Sequence, residues 1–236
     1  MNQQIDKARM VYYGLFSALL SFLETDEKYE NIKDTIDYLS NNPLEEYSAE
    51  ALSNMKEFLN IHSFTGLKDE SNLVFYSPST TYIPTTASYY NEARDDGKKR
   101  IEMYNYLAQS KFRRDESLYK ESEDSICFVF NFMNKLIEDN LNGEKTSELL
   151  AKSVFENILN EMSDLFSSNL YNHESADFYK DLALLLKVFI EFERHYYNLS
   201  KPKEIEIKET IRPNTKVKKK DSVKRAKRNL DEINSL

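Results

Sequence analysis

Tryptophan is absent, cysteine occurs once and glycine only four times in 236 residues, and each shortage closes off a class of function. Phosphate-cradling loops need clustered glycines so that backbone N–H groups can approach the anion closely. Gly14, Gly66, Gly97 and Gly143 are scattered singly, so neither a P-loop nor a dinucleotide fingerprint exists. Cys127 has no partner for an internal disulfide and lies in an apolar run, which predicts a buried, inert thiol and fits a reducing compartment. Long apolar runs are missing as well. The stretch from Met10 to Leu23 is short and amphipathic and follows a polar start of mixed charge. The expectation is therefore neither export signal nor membrane span, and a cytoplasmic protein.

Histidine is also scarce. His62, His173 and His195 fall on separate segments, and only Glu191 and His195 share a helical face, four residues apart. A metal site needs convergent ligands, and this pattern does not supply them. No nucleophile elbow or caspase-like signature surrounds any Ser or Cys. The sequence thus reads as a binding protein rather than an enzyme, with no cofactor and no metal.

What is abundant is aromatic and aliphatic surface. Sixteen Tyr and 14 Phe contribute to 40% hydrophobic residues, enough apolar area to offset the entropy of ordering one domain. The net charge of -8 hides an asymmetry: residues 201–236 hold 12 Lys/Arg against 6 Asp/Glu, leaving 20 against 34 in the first 200. The chain divides into an acidic helical domain, 1–200, and a basic, loose tail, 201–236.

Apolar residues recur at spacings of three and four throughout the first part. Ala8, Val11, Tyr12, Leu15, Leu19, Phe22 and Leu23 predict a core-facing helix over about 3–24. A helical pair is expected at about 27–40 and 48–60, separated by Asn41-Asn42-Pro43, with Ser48 as a cap. From Gly66 to Pro84 the pattern predicts one helix turn and then a loop. Four more helices are expected at about 86–110, 122–141, 145–168 and 174–199, with Gly143 between the middle two. No strand-like alternation competes, so the fold class is all-α, a single compact helical domain. In the tail, Val223, Ala226, Leu230 and Ile233 share one side of a short helix at about 221–234 that could form on contact with a partner.

One constellation carries chemistry. The acidic run Glu121-Ser122-Glu123-Asp124-Ser125 precedes the apolar series Ile126, Phe128, Val129, Phe130, Phe132 and Met133. Read structurally, Ser122 caps a helix and the carboxylates favour its positive end, each by about 0.3–1 kcal/mol. Read functionally, carboxylates beside an aromatic face suit a ligand that carries guanidinium groups next to apolar residues.

The run Pro84-Thr85-Thr86-Ala87-Ser88-Tyr89-Tyr90, followed about thirty residues on by Glu121-Ser122-Glu123-Asp124-Ser125-Ile126, resembles the TorD/DmsD-type family of redox-enzyme maturation chaperones. In that family a Pro-containing loop leads into a Ser-x-Tyr-type helix start, and a Glu-Pro-x-Asp-His-Ile-like motif opens a later core helix. Arg9, Tyr12 and Leu15 match residues usual in the family's first helix. The resemblance covers roughly residues 5–198. Ser122 stands where the family has Pro and Ser125 where it has His, so no role of that imidazole carries over.

The resemblance implies an all-helical cytoplasmic chaperone, monomer or homodimer. Its partner would be the twin-arginine signal peptide, or the apo form, of a molybdenum- or tungsten-containing oxidoreductase during cofactor insertion before export, with formate dehydrogenase as first choice. On this reading Glu121, Glu123 and Asp124 meet the arginines, while Tyr82, Tyr89, Tyr90 and the segment Leu73, Val74, Phe75 and Tyr76 line an apolar groove. Some relatives bind guanine nucleotide weakly; no glycine-rich site here supports that property. Two other readings compete: a helical scaffold or regulator that binds nucleic acid or acidic partners through its basic tail, and a small helical hydrolase with an unrecognised site. Nucleic acid is disfavoured because the tail lacks interleaved aromatics and hangs from an acidic body.

Overall fold

A computed structural model describes residues 3–116 and 120–202, so the tail helix expected at 221–234 and most of the basic tail lie outside the described residues. The elements run α1 (Gln3–Leu20), α2 (Asp26–Ser40), α3 (Glu46–Phe75), α4 (Ala87–Glu92), α5 (Lys98–Gln109), α6 (Ile126–Leu141), α7 (Thr146–Val154), α8 (Asn160–Tyr171) and α9 (Phe178–Tyr197). Among the described residues there is no strand, only an isolated antiparallel bridge between Thr86 and Ser125. The all-α expectation holds.

The apolar stripe of α1 lies against α6, and α9 packs on both α3 and α8. Where α1, α6 and α9 meet, four rings interlock: Phe16 lies 5.3 Å from both Phe130 and Phe189, and Tyr13 meets Phe189 edge-on at 4.9 Å. Such offset and edge-on pairs contribute about 0.5–1.5 kcal/mol each beyond their buried area.

Several expected boundaries move, each for a local reason. The helix expected at 48–60 begins at Glu46 and runs to Phe75, so residues 66–75 are helical and the loop begins only at Tyr76. A kink at Ser63, whose φ is 55°, re-aims the second half of this helix. Ser48 is not the cap; it sits in the first turn, and its hydroxyl accepts from Glu45 N at 2.9 Å. The helix expected at 86–110 is two helices, because Ala93 and Asp96 take left-handed φ values of 54° and 56° ahead of Gly97. Gly97 also lets α5 start close to α4: a Cβ there would lie 3.1 Å from Ser88 Cβ.

The helix expected at 145–168 continues to Tyr171 through a π turn at Phe155–Leu159. That wider turn brings Phe155, Ile158 and Leu159 all into the core. Gly143, at φ 107°, makes the turn between α6 and α7 that its place in the sequence suggests.

Candidate functional site

The two motifs that lie thirty residues apart in sequence are bound to each other. Ala87 N donates to Asp124 O at 2.9 Å and Ile126 N donates to Thr85 O at 2.7 Å, so the entry to α4 and the entry to α6 form one two-stranded clamp. Asp124, fully buried, completes it. Its carboxylate accepts from Ser88 N at 2.9 Å and from the Ser122 hydroxyl at 2.8 Å. Asp124 therefore satisfies a free N–H at the start of α4, not of its own helix. Ser122, expected to cap α6, instead holds Asp124, and the N-cap position of α6 falls on Ser125.

Glu123 turns the other way and is also engaged. Arg100 Nε donates to it at 2.8 Å, and Arg114 Nε lies 3.3 Å away, near enough to attract but misaligned for a hydrogen bond. Burial alone would raise the Glu123 carboxyl; the bond from Arg100 and the two positive charges outweigh it and hold the carboxyl below its ordinary range. Arg100 also reaches Asp96, closing the α4–α5 turn over the clamp.

Glu121 differs. Among the described residues only its backbone carbonyl is tied, by Arg114 Nη1 at 2.7 Å, and its side chain is half-exposed. The charge is felt by Tyr76, Cys127 and Lys28. Burial, then Cys127 and Glu121, push Tyr76 up to about 12, and burial pushes the Cys127 thiol up to about 11. Burial lowers Lys28, whose ammonium donates to Ser21 Oγ at 2.6 Å and Phe22 O at 2.7 Å. Tyr76 (51% exposed) meets Phe22 (41% exposed) edge-on at 5.4 Å, and Leu73 is exposed one turn earlier on α3. A carboxylate thus lies within electrostatic range of a solvent-facing aromatic patch.

The remaining expected aromatics divide. Tyr82 and Tyr89 form an accessible pair with ring centroids 6.4 Å apart, beside Asp95. Tyr90 is buried: its hydroxyl donates to Pro84 O at 2.8 Å and its ring meets Phe166 edge-on. Phe75 packs on Tyr179 at 5.1 Å, and Val74 is buried. The loop between the two aromatic groups is pinned, since Thr81 N donates to Glu174 at 2.7 Å and Thr81 O lies 2.9 Å from His173 Nε2.

So Tyr76 lies within electrostatic range of Glu121, Tyr82 pairs with Tyr89, and Glu123, Asp124, Tyr90 and Phe75 are engaged in the clamp and the core. Phe22 and Lys28 were missed by sequence reasoning. Phe22 was read as part of the inward stripe, and only the end of α1 at Leu20 frees it. No three His, Cys, Asp or Glu side chains converge as a metal site among the described residues, nor is any described helix long and apolar enough to cross a membrane.

Residues 41–173 match the family described as nitrate reductase delta subunit, and the chain belongs to that family. This is the TorD-like group of redox-enzyme maturation chaperones that its two motifs resemble. The fold is similar to a crystal structure from Archaeoglobus fulgidus described as that of a candidate redox enzyme maturation protein. The TM-score is 0.53 at 16% identity, over 77% of this chain and 93% of that one. No curated protein sequence matches the chain.

Proposed function

We propose that this chain is a chaperone for a molybdenum- or tungsten-containing oxidoreductase, binding the enzyme's twin-arginine signal peptide or its apo form before cofactor insertion and export. The family supports the general role, and one observation supports the mode of binding: Glu121 is the member of the acidic run left with an accessible carboxylate, and it lies within electrostatic range of the exposed Tyr76–Phe22 patch. A signal peptide carries guanidinium groups next to an apolar stretch. Arginine–carboxylate pairs are directional, and an aromatic surface accepts the apolar part.

On this reading Glu121, Tyr76, Tyr82 and Tyr89 touch the peptide. Glu123, Asp124, Tyr90 and Phe75 position those groups through the clamp and the core. Formate dehydrogenase is the first client to test. The description of the matching family makes nitrate reductase the second.

The test is affinity purification of the tagged full chain from its own cells, with a salt wash that strips loose electrostatic partners and mass spectrometry of what remains. Reproducible recovery of a molybdenum or tungsten oxidoreductase subunit supports the proposal and names the client. Recovery of nucleic acid alone, lost when the basic tail is neutralised, would move the assignment to the scaffold reading.

A further inference from the structure

A second groove, remote in sequence from the clamp, lies between the start of α3 and the outer face of α9 and has a volume of about 630 Å³. Its walls include Leu44, Tyr47, Leu184 and Val188. Tyr47 is 72% exposed and Leu184 40%, so large apolar groups face solvent there. Four carboxylates stand among them, Glu45, Glu50, Asp181 and Glu191, against one lysine, Lys187, and His195; Glu191 is already paired with Arg194 at 2.6 Å. Asp181 accepts one hydrogen bond, from Asn54 Nδ2 at 3.0 Å, and no ion pair among the described residues reaches Glu50 or Asp181. Asp181 also feels the negative charges of Asp177 and Glu50. The groove therefore combines apolar walls with an excess of negative charge, and its complement is a basic, amphipathic segment.

Such a segment exists in the same chain. Residues 216–228 carry eight Lys/Arg against one Asp, and Val223, Ala226, Leu230 and Ile233 recur at helical spacing through and beyond them. The chain leaves the described body on the correct side. Asn160 Nδ2 holds Ser200 O at 3.2 Å and Lys201 pairs with Asp164 at 3.3 Å. Lys201 and Pro202 line a neighbouring groove of about 670 Å³ that shares Leu184 and Lys187 with the first. In that neighbour the acids are already paired, Glu161 with Lys99 at 2.8 Å and Asp164 with Arg194 at 2.9 Å, so charge directs a basic segment onward to Glu50 and Asp181. Residues 203–215 can span up to about 45 Å at 3.3–3.6 Å each, ample for a route along one helix face. A tethered segment also sees its site at an effective concentration of about millimolar, which favours it over a second copy of the chain.

We infer that the segment Lys216–Ile233 docks in cis in the groove between α3 and α9, its lysines and arginines meeting Glu50 and Asp181 and its apolar residues covering Tyr47, Leu184 and Val188. The acidic body thereby neutralises its own basic tail and shields an apolar face from other partners. Docking of this kind is independent of which client binds at the clamp.

Zero-length carbodiimide cross-linking of the dilute full-length chain, read by mass spectrometry on an equal mixture of ordinary and ¹⁵N-labelled protein, tests this directly. The expected result is cross-links from Lys224 or Lys227 to Glu50 or Asp181 within single chains. They should fall about tenfold in 1 M salt, where the Debye length is about 3 Å. They should likewise fall with R225E/R228E, a variant that keeps Lys224 and Lys227 as the reporting amines and leaves the folded body untouched. Cross-links spread evenly over acidic residues of the whole body, cross-links only between differently labelled chains, or none from the tail would each overturn the assignment.

Discussion

Glu193 Oε1 lies 2.5 Å from Arg9 Nε, so a carboxylate near the end of α9 closes on a guanidinium in the second turn of α1 across 184 residues of sequence. The pair is fully buried and bidentate, with Arg9 Nη2 reaching Glu193 Oε2 at 2.8 Å. Asp6, Tyr13 and Tyr197 complete its hydrogen bonds, and the Tyr196 ring lies 3.8 Å from the guanidinium carbon. Burial disfavours the charge on Arg9, and Glu193 outweighs it and pushes the guanidinium up. Removing one partner of a buried pair strands the other, which costs about 3–5 kcal/mol. Glu193→Gln should lower stability by about that amount in urea denaturation, and the family-matching arginine of α1 is thereby assigned to the fold.

Glu121 and Asp124 should separate function from architecture. Glu121→Gln removes an accessible charge and should change stability by less than about 0.5 kcal/mol, as surface substitutions do. The same change should weaken binding of a twin-arginine peptide about tenfold in calorimetry. Asp124→Ala removes the acceptor for Ser88 N and should cost about 1–2 kcal/mol of stability. A stable Glu121→Gln protein with unchanged peptide affinity would take Glu121 out of the site.

The aromatic patch is open to the same separation. Tyr76 and Phe22 are both exposed and meet edge-on, so Tyr76→Ala should leave the far-ultraviolet circular dichroism unaltered. Peptide affinity should fall by about 1–2 kcal/mol, the scale of burying one side chain.

Glu123 makes stability depend on acid. Its folded carboxyl lies below the ordinary 4.5 because Arg100 and Arg114 outweigh burial. The unfolded chain therefore binds the proton more readily. The contribution is complete above about pH 5 and is lost as pH falls through 4.5 towards the lower folded value. Denaturation midpoints measured between pH 3 and 7 should show that slope, and Glu123→Gln should flatten it.

Cys127 should be silent. Buried and pushed up to about 11, its thiol offers almost no thiolate at neutral pH. Ellman's reagent should leave it untouched in the folded chain and titrate it fully in guanidinium chloride.

Much of this protein follows from local pattern. The helical spacing of Tyr12, Leu15, Leu19 and their counterparts sets the all-α class because a 3.6-residue period places those side chains on one face whatever the neighbours are. The paired motifs 84–90 and 121–126 point to the family that residues 41–173 match. Turn chemistry was legible too, in Gly143 and in Asp95-Asp96-Gly97, although periodicity alone carried the helix expected at 86–110 straight through the latter.

Tertiary structure decided which of three adjacent carboxylates remains accessible. Nothing local distinguishes Glu121, Glu123 and Asp124. Asp124 is consumed by a backbone N–H thirty-six residues away, Glu123 by Arg100 and Arg114, and Glu121 is left half-exposed, within electrostatic range of Tyr76. The availability of a charge is set by what long-range packing places beside it, because a buried carboxylate must find partners to offset its lost hydration and an exposed one need not.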